Sequence, residues 1–180
     1  LRYWSARREN AELSAPDPTV LSPEDLEAIA ELTPDGATGP AALAALLTDL
    51  VAGTAPAASG AGDGTATAPH PTAPKALREL LIGLCVDYLI GSGPGRSRDR
   101  VANFHLTNGA QVERINWMAN ATSPGIRESY GLMVNYRYDL SKIDANHEQY
   151  VAHGIIARSS AIARIATARR KARAARAETH

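Results

Sequence analysis

Cysteine occurs once in the 180 residues, as Cys85, which excludes an intramolecular disulfide and a cysteine-rich zinc site and fits a reducing compartment. Net charge is also missing: nineteen Lys and Arg balance nineteen Asp and Glu. No whole-molecule field therefore draws the chain to nucleic acid or to an anionic membrane. Long apolar runs are lacking too. The longest, Leu80 to Ile90, has eleven positions and contains Asp87, far short of the roughly twenty residues that cross a bilayer. There is no internal repeat, and Arg2, Arg7 and Arg8 lead into no apolar segment of the signal-peptide kind. With Leu1 in place of methionine, the expectation is a fragment of a longer cytoplasmic protein. What remains, 44% hydrophobic and 21% charged residues, suits a globular domain with a sizeable core.

The charge is unevenly spread. Residues 1–50 hold nine acids and three bases, and residues 151–180 hold seven bases and one acid. Ser22-Pro23-Glu24-Asp25 carries a capping hydroxyl, a proline at the first helical position and acids in the first turn, which predicts a helix over Pro23 to Leu32. Pro34-Asp35-Gly36 is turn chemistry, and Gly39-Pro40 opens a second helix through Leu43, Leu46, Leu47 and Leu50. Residues 51–74 are almost wholly small or proline and read as a flexible insertion, because nothing large is there to offset the entropy of ordering. A third helix is expected from Pro74 to Ile90, stopped by Gly91-Ser92-Gly93-Pro94-Gly95. That loop lacks the lysine and spacing of a phosphate-binding P-loop.

Residues 99–139 have another texture, with five of the nine aromatics and five asparagines. Asp99 caps a short predicted helix through Leu106 that stops at Asn108-Gly109, with a strand over the same residues as the open alternative. Near-alternation predicts a strand over Ala110 to Met118. Ser123-Pro124-Gly125 turns the chain, and Leu132, Met133, Tyr136 and Leu140 recur at helical spacing, which predicts a helix from near Ile126 to Leu140. A last helix is expected from about Glu148, with Ile155, Ile156, Ile162 and Ile165 on one side. It frays into a basic tail over residues 166–180.

His105, flanked by Phe104 and Leu106, is the leading candidate for proton transfer, although a histidine near a helix end also serves as a cap or core residue. Asn116 and Asn135 are amide donors suited to a carbonyl, or to backbone groups. Tyr136, Arg137 and Tyr138 on a helix could orient an anion, or serve as core and solvated surface. His147 and His153 lack helical metal-pair spacing and no acids or cysteine complete a set, so no metal is expected. The basic end lacks interleaved aromatics, so nucleic acid is not an expected partner.

Three blocks carry a resemblance: Val101-Ala102-Asn103-Phe104-His105-Leu106-Thr107-Asn108-Gly109-Ala110, then Arg114-Ile115-Asn116-Trp117-Met118-Ala119, then Gly131-Leu132-Met133-Val134-Asn135-Tyr136-Arg137-Tyr138. In order and spacing they resemble the carboxy-terminal part of malonyl-CoA decarboxylases, well over residues 76–165 and loosely over 1–50. The resemblance implies an α/β (α+β) architecture, part of an acetyltransferase-like (GNAT-like), CoA-binding fold with additional helices. It makes residues 1–180 the carboxy-terminal portion of the catalytic domain. It also implies malonyl-CoA as substrate, no cofactor, a homo-oligomer in the full-length form and no membrane partner. His105 matches the family's catalytic histidine, and Tyr138 and Asn116 are expected near the substrate. The partner serine belongs to a Ser-Pro-x-Pro-Gly-Phe motif that does not occur in these 180 residues, so the isolated chain is expected to be inactive. The competing expectations are a CoA-dependent acyltransferase of the same fold, and a noncatalytic module that binds partners through the helical hairpin and basic tail.

Overall fold

The computed structural model describes residues 21–53, 74–91 and 95–177. Most of the expected insertion therefore lies outside the described residues, as does the end of the basic tail. The first helix, α1 (Pro23–Leu32), starts where its caps place it. The Ser22 hydroxyl accepts from the Asp25 amide at 3.2 Å and the Asp25 carboxylate accepts from the Ser22 amide at 2.8 Å, a reciprocal capping box. Next come α2 (Pro40–Ala52), whose Leu43, Leu46, Leu47 and Leu50 are all buried as their spacing predicts, and α3 (Lys75–Ile90), which buries Leu77, Leu80 and Leu81 but also Cys85, Val86, Leu89 and Ile90. Helix α2 runs two residues into the segment expected to be flexible.

The second half comprises α4 (Arg100–Thr107), β1 (Gln111–Asn116), α5 (Ser123–Ser129), β2 (Met133–Arg137), α6 (Ile143–His153) and α7 (Ser160–Ala177). Strands β1 and β2 pair antiparallel, with Val112 opposite Tyr136, Ile115 opposite Val134 and an irregularity between Val112 and Arg114. The architecture is α+β and rich in helix, with a small two-stranded sheet among the described residues. One continuous core joins Ile29, Leu43, Leu77 and Val86 of the helical half to Leu106, Val112, Ile126 and Ile162 of the other.

The helix expected from Ile126 to Leu140 does not form. A shorter helix, α5, begins at Ser123 and ends at Tyr130, whose φ of 53° is left-handed, and Gly131 follows at φ 75°. A side chain at Gly131 would press on Met118 Sδ at 2.7 Å, so the turn needs glycine for conformation and for space. Beyond it Val134 and Tyr136 face inward while Met133, Asn135 and Arg137 face solvent, the alternation of a strand. The spacing of Leu132, Met133, Tyr136 and Leu140 suits a helix by coincidence, and pairing with distant β1 decides the matter.

The single helix expected from Glu148 is also corrected. Helix α6 starts earlier, at Ile143, and stops at Gly154 in the left-handed region. Residues 155–159 are extended and bridge to β1: the Val112 amide donates to Ala157 at 2.9 Å and the Ser159 amide to Val112 at 3.0 Å. Helix α7 then runs unbroken to Ala177. The expected fraying tail is thus partly a core element. Arg169, with its side chain 10% exposed, makes two bonds to Asp25, at 2.7 and 2.8 Å, and one to Asp87 at 2.5 Å; Arg173 reaches Asp87 at 2.7 Å. Burial alone would lower the Arg169 pKa, and the two carboxylates more than offset it, holding the guanidinium charge firmly. Gly83 makes room for it, since a methyl group there would lie 2.6 Å from Arg169 Nη1.

Candidate active site

Helix α4 has eight residues, too few to be stable on propensity alone, so its ends are held by specific partners. Asp99 accepts from the Ala102 amide at 2.8 Å at the start. At the other end the Ala110 amide donates to the His105 carbonyl and the Gly109 amide to the Leu106 carbonyl, a Schellman closure with Gly109 left-handed. The Asn108 side chain bonds the Phe104 carbonyl at 2.8 Å. This turn delivers the chain directly into β1, so a rigid helix carrying His105 lies against the strand pair.

His105 is half-buried. Its ring stacks on Tyr136, with centroids 4.3 Å apart and planes 15° from parallel, and meets the edge of Phe104 at 5.4 Å. Nδ1 lies 2.9 Å from the Tyr138 hydroxyl. Whichever tautomer is present, that contact occupies Nδ1 and leaves Nε2 with no protein partner among the described residues. Burial and, behind it, the charge of Asp99 push the Tyr136 phenol well above its ordinary pKa, so it stays protonated and serves as a neutral platform. A histidine with one nitrogen held, one face covered and the other nitrogen open has the geometry of a general acid/base. Phe104, at 65% exposure, leaves an apolar edge beside it.

The period of two matters here. On a helix, Tyr136 and Tyr138 would point in different directions; with Tyr136 on β2 and Tyr138 just past its end, both reach one imidazole. The structure therefore brings together His105, Tyr136 and Tyr138. Asn116 is elsewhere: it pairs with Met133, on the opposite face of the strand pair, and its amide donates to Asn135 at 3.0 Å. His147 bonds the Thr107 carbonyl and His153 ends α6, and no group of three metal-ligating side chains occurs among the described residues. Beside Gly91, where the glycine-rich loop begins, lies a cavity of about 210 Å³ lined in part by Arg158, Arg170 and Arg173 and remote from His105 in its lining. Sequence reasoning missed Asn103, Asn146 and Tyr150 around α4, because no local pattern links residues some forty positions apart.

A family profile described as the malonyl-CoA decarboxylase C-terminal domain matches residues 6–176. Proteins named "Malonyl-CoA decarboxylase, mitochondrial" from Anser anser anser and from Rattus norvegicus are each 47% identical over 78 residues, 43% of this chain and 16% of theirs. The crystal structure of malonyl-CoA decarboxylase from Cupriavidus metallidurans superimposes with a TM-score of 0.58 at 29% identity, over 81% of this chain and 32% of that one. The chain thus spans a minor share of the proteins it matches. No described helix is long and apolar enough to cross a membrane. With a profile match over most of its length, the chain belongs to the malonyl-CoA decarboxylase family.

Proposed function

We propose that the protein carrying this chain decarboxylates malonyl-CoA to acetyl-CoA and carbon dioxide, with His105 as general acid/base. The observation that carries the reading is the His105 ring stacked on Tyr136 with Nδ1 at 2.9 Å from the Tyr138 hydroxyl. In the reaction the bond between the carboxylate carbon and the α-carbon breaks. Carbon dioxide leaves, and the bonding pair passes into the thioester carbonyl as an enolate. A proton from Nε2 of the imidazolium then reaches the α-carbon, and the neutral ring is reprotonated from solvent. The enolate oxygen needs a hydrogen-bond donor, a role this reading gives to the serine of the Ser-Pro-x-Pro-Gly-Phe motif outside these residues. The thioester is itself the electron sink, so the reaction calls for no cofactor.

In this reading Tyr138 orients His105 at the edge of the substrate, and Asn116 is a second substrate contact that rests on resemblance alone. The acetyltransferase-like, CoA-binding assignment of the fold and a homo-oligomeric full-length form belong to the same proposal. An isolated chain of residues 1–180 should be inactive. The expected cytoplasmic location stands against the mitochondrial designation in the relatives' names, and fractionation of the source cells decides between them.

The test is release of carbon dioxide from malonyl-CoA by the full-length protein and by its His105→Asn variant. Loss of general acid/base catalysis should lower kcat by about 10²–10⁴-fold with stability changed by less than about 0.5 kcal/mol. Turnover within a few-fold of the parent in the His105→Asn variant would overturn the assignment.

A further inference from the structure

Helix α6 packs against α4 and follows β2 through a short turn. Three of its side chains, Asn146, His147 and Tyr150, lie at positions i, i+1 and i+4 and share one face. Each bonds the segment that carries His105. Asn146 Nδ2 donates to the Gly109 carbonyl at 3.0 Å, and His147 Nδ1 lies 2.5 Å from the Thr107 carbonyl. Because a carbonyl can only accept, that imidazole holds its proton on Nδ1. Tyr150, buried, takes the Ser97 amide at 3.0 Å on its hydroxyl oxygen and donates to the Asn103 side chain, which bonds the Ser97 carbonyl at 2.5 Å.

The carbonyl count shows what these bonds accomplish. Of the last four carbonyls of α4, those of Phe104, His105 and Leu106 are satisfied within the helix and its own turn, and that of Thr107 is satisfied by His147 of α6. Gly109 comes so close to the Ile143 backbone that any side chain there would collide with it. The same end of α6 follows directly from the turn after β2. Asp139 accepts from Ser141 Oγ at 2.7 Å and from the Ser141 amide at 3.2 Å, and the Lys142 amide bonds the Asp139 carbonyl at 2.8 Å, a tight turn leading from the end of β2 into α6.

We infer that Asn146, His147 and Tyr150 are positioning residues: through them α6 sets the distance between His105 and Tyr138 and thereby the direction in which Nε2 points. Two elements that are each short are registered against a third that holds one by side-chain bonds and the other by a turn. The catalytic consequence rests on the decarboxylase reading; the geometric one does not.

The two are tested separately. In the isotopically labelled 180-residue chain, the ¹⁵N shifts of the His105 ring report its bond to Tyr138, with Tyr138→Phe as the reference for its loss. The Asn146→Asp and His147→Leu double variant should move the His105 signal to that reference. His147→Asn, whose amide nitrogen falls near the position of Nδ1, should restore it when paired with native Asn146. In the full-length protein, kcat should fall by about tenfold to a hundredfold in the double variant, as for a reacting group displaced by about 1 Å, with KM for malonyl-CoA nearly unchanged. Tyr150→Phe, which removes one oxygen and keeps the ring, gives the same readouts should the double variant fail to fold. A folded variant with lower melting temperature but unchanged His105 shifts would overturn the inference and leave these residues a structural role only. Displaced shifts in the variants, together with no decarboxylation by the parent, would uphold the positioning and sink the reaction.

Discussion

The Asp25–Arg169–Asp87 junction and the His105–Tyr136–Tyr138 cluster are both polar constellations assembled from distant parts of the chain, yet they are built on opposite principles. At the junction, side chains are nearly sealed from solvent and the guanidinium directs three bonds to two carboxylates, with Arg173 adding a fourth to Asp87. Around His105 the groups are half-buried or exposed, one ring nitrogen is occupied and the other is open. Charges that are buried and fully paired hold elements together, because breaking one pair strands its partner. A titratable ring held by one nitrogen keeps the other for a reactant. The difference separates a structural network from a site.

Breaking the junction gives the largest expected effect. Arg169→Leu leaves buried Asp25 without its cation and Asp87 with Arg173 alone, and should destabilise the chain by about 3–5 kcal/mol, measured by urea unfolding. A cost below about 1 kcal/mol would mean that α7 is held by apolar packing and that the basic stretch is a surface feature after all. On the other side of the comparison, Tyr138→Phe removes one hydrogen bond at an exposed position. It should leave stability nearly unchanged and lower kcat in the full-length protein by about tenfold, the equivalent of about 1.4 kcal/mol. A larger loss of stability than of turnover would move Tyr138 into the structural class.

The smallest effect concerns Cys85, buried on α3. Burial holds its thiol from the ordinary 9.0 up to about 12. The folded pKa is raised, so this group's contribution to stability is complete below pH 9 and fades as pH rises from about 9 to about 12. At pH 8 the native chain should be inert to a thiol reagent and should react fully once unfolded. Prompt labelling of folded protein would show that the α3 core opens locally.

The elements that were legible in the sequence have local causes. Helix α1 was written in Ser22-Pro23-Glu24-Asp25, α4 in Asp99 and Asn108-Gly109, and β1 in its near-alternation; each matches within a residue or two. The resemblance of their sequence blocks put His105 and Tyr138 forward as candidate site residues, and the structure sets them 2.9 Å apart. The misassigned segments failed for a shared reason. Leu132 to Leu140 fits a helical period and a strand period at once, and only Gly131 and the pairing with β1 choose between them. The last helix was expected to be continuous because nothing local announces that residues 155–159 lie against β1 and that Gly154 must turn left-handed to permit it.

Capping boxes, turn glycines and apolar periods act over a few residues, so the sequence by itself determined where α1 to α3 begin, where α3 stops at Gly91, and which leucines of α2 are buried. It also determined which family blocks carry His105, Asn116 and Tyr138. Tertiary structure decided that β2 is a strand, that Tyr136 and Tyr138 reach one imidazole, that Asn116 lies on the other face, and that Arg169 is a core residue. Those outcomes depend on partners 17 to 144 residues away, whose hydrogen bonds and charges exist only once the chain has folded around them.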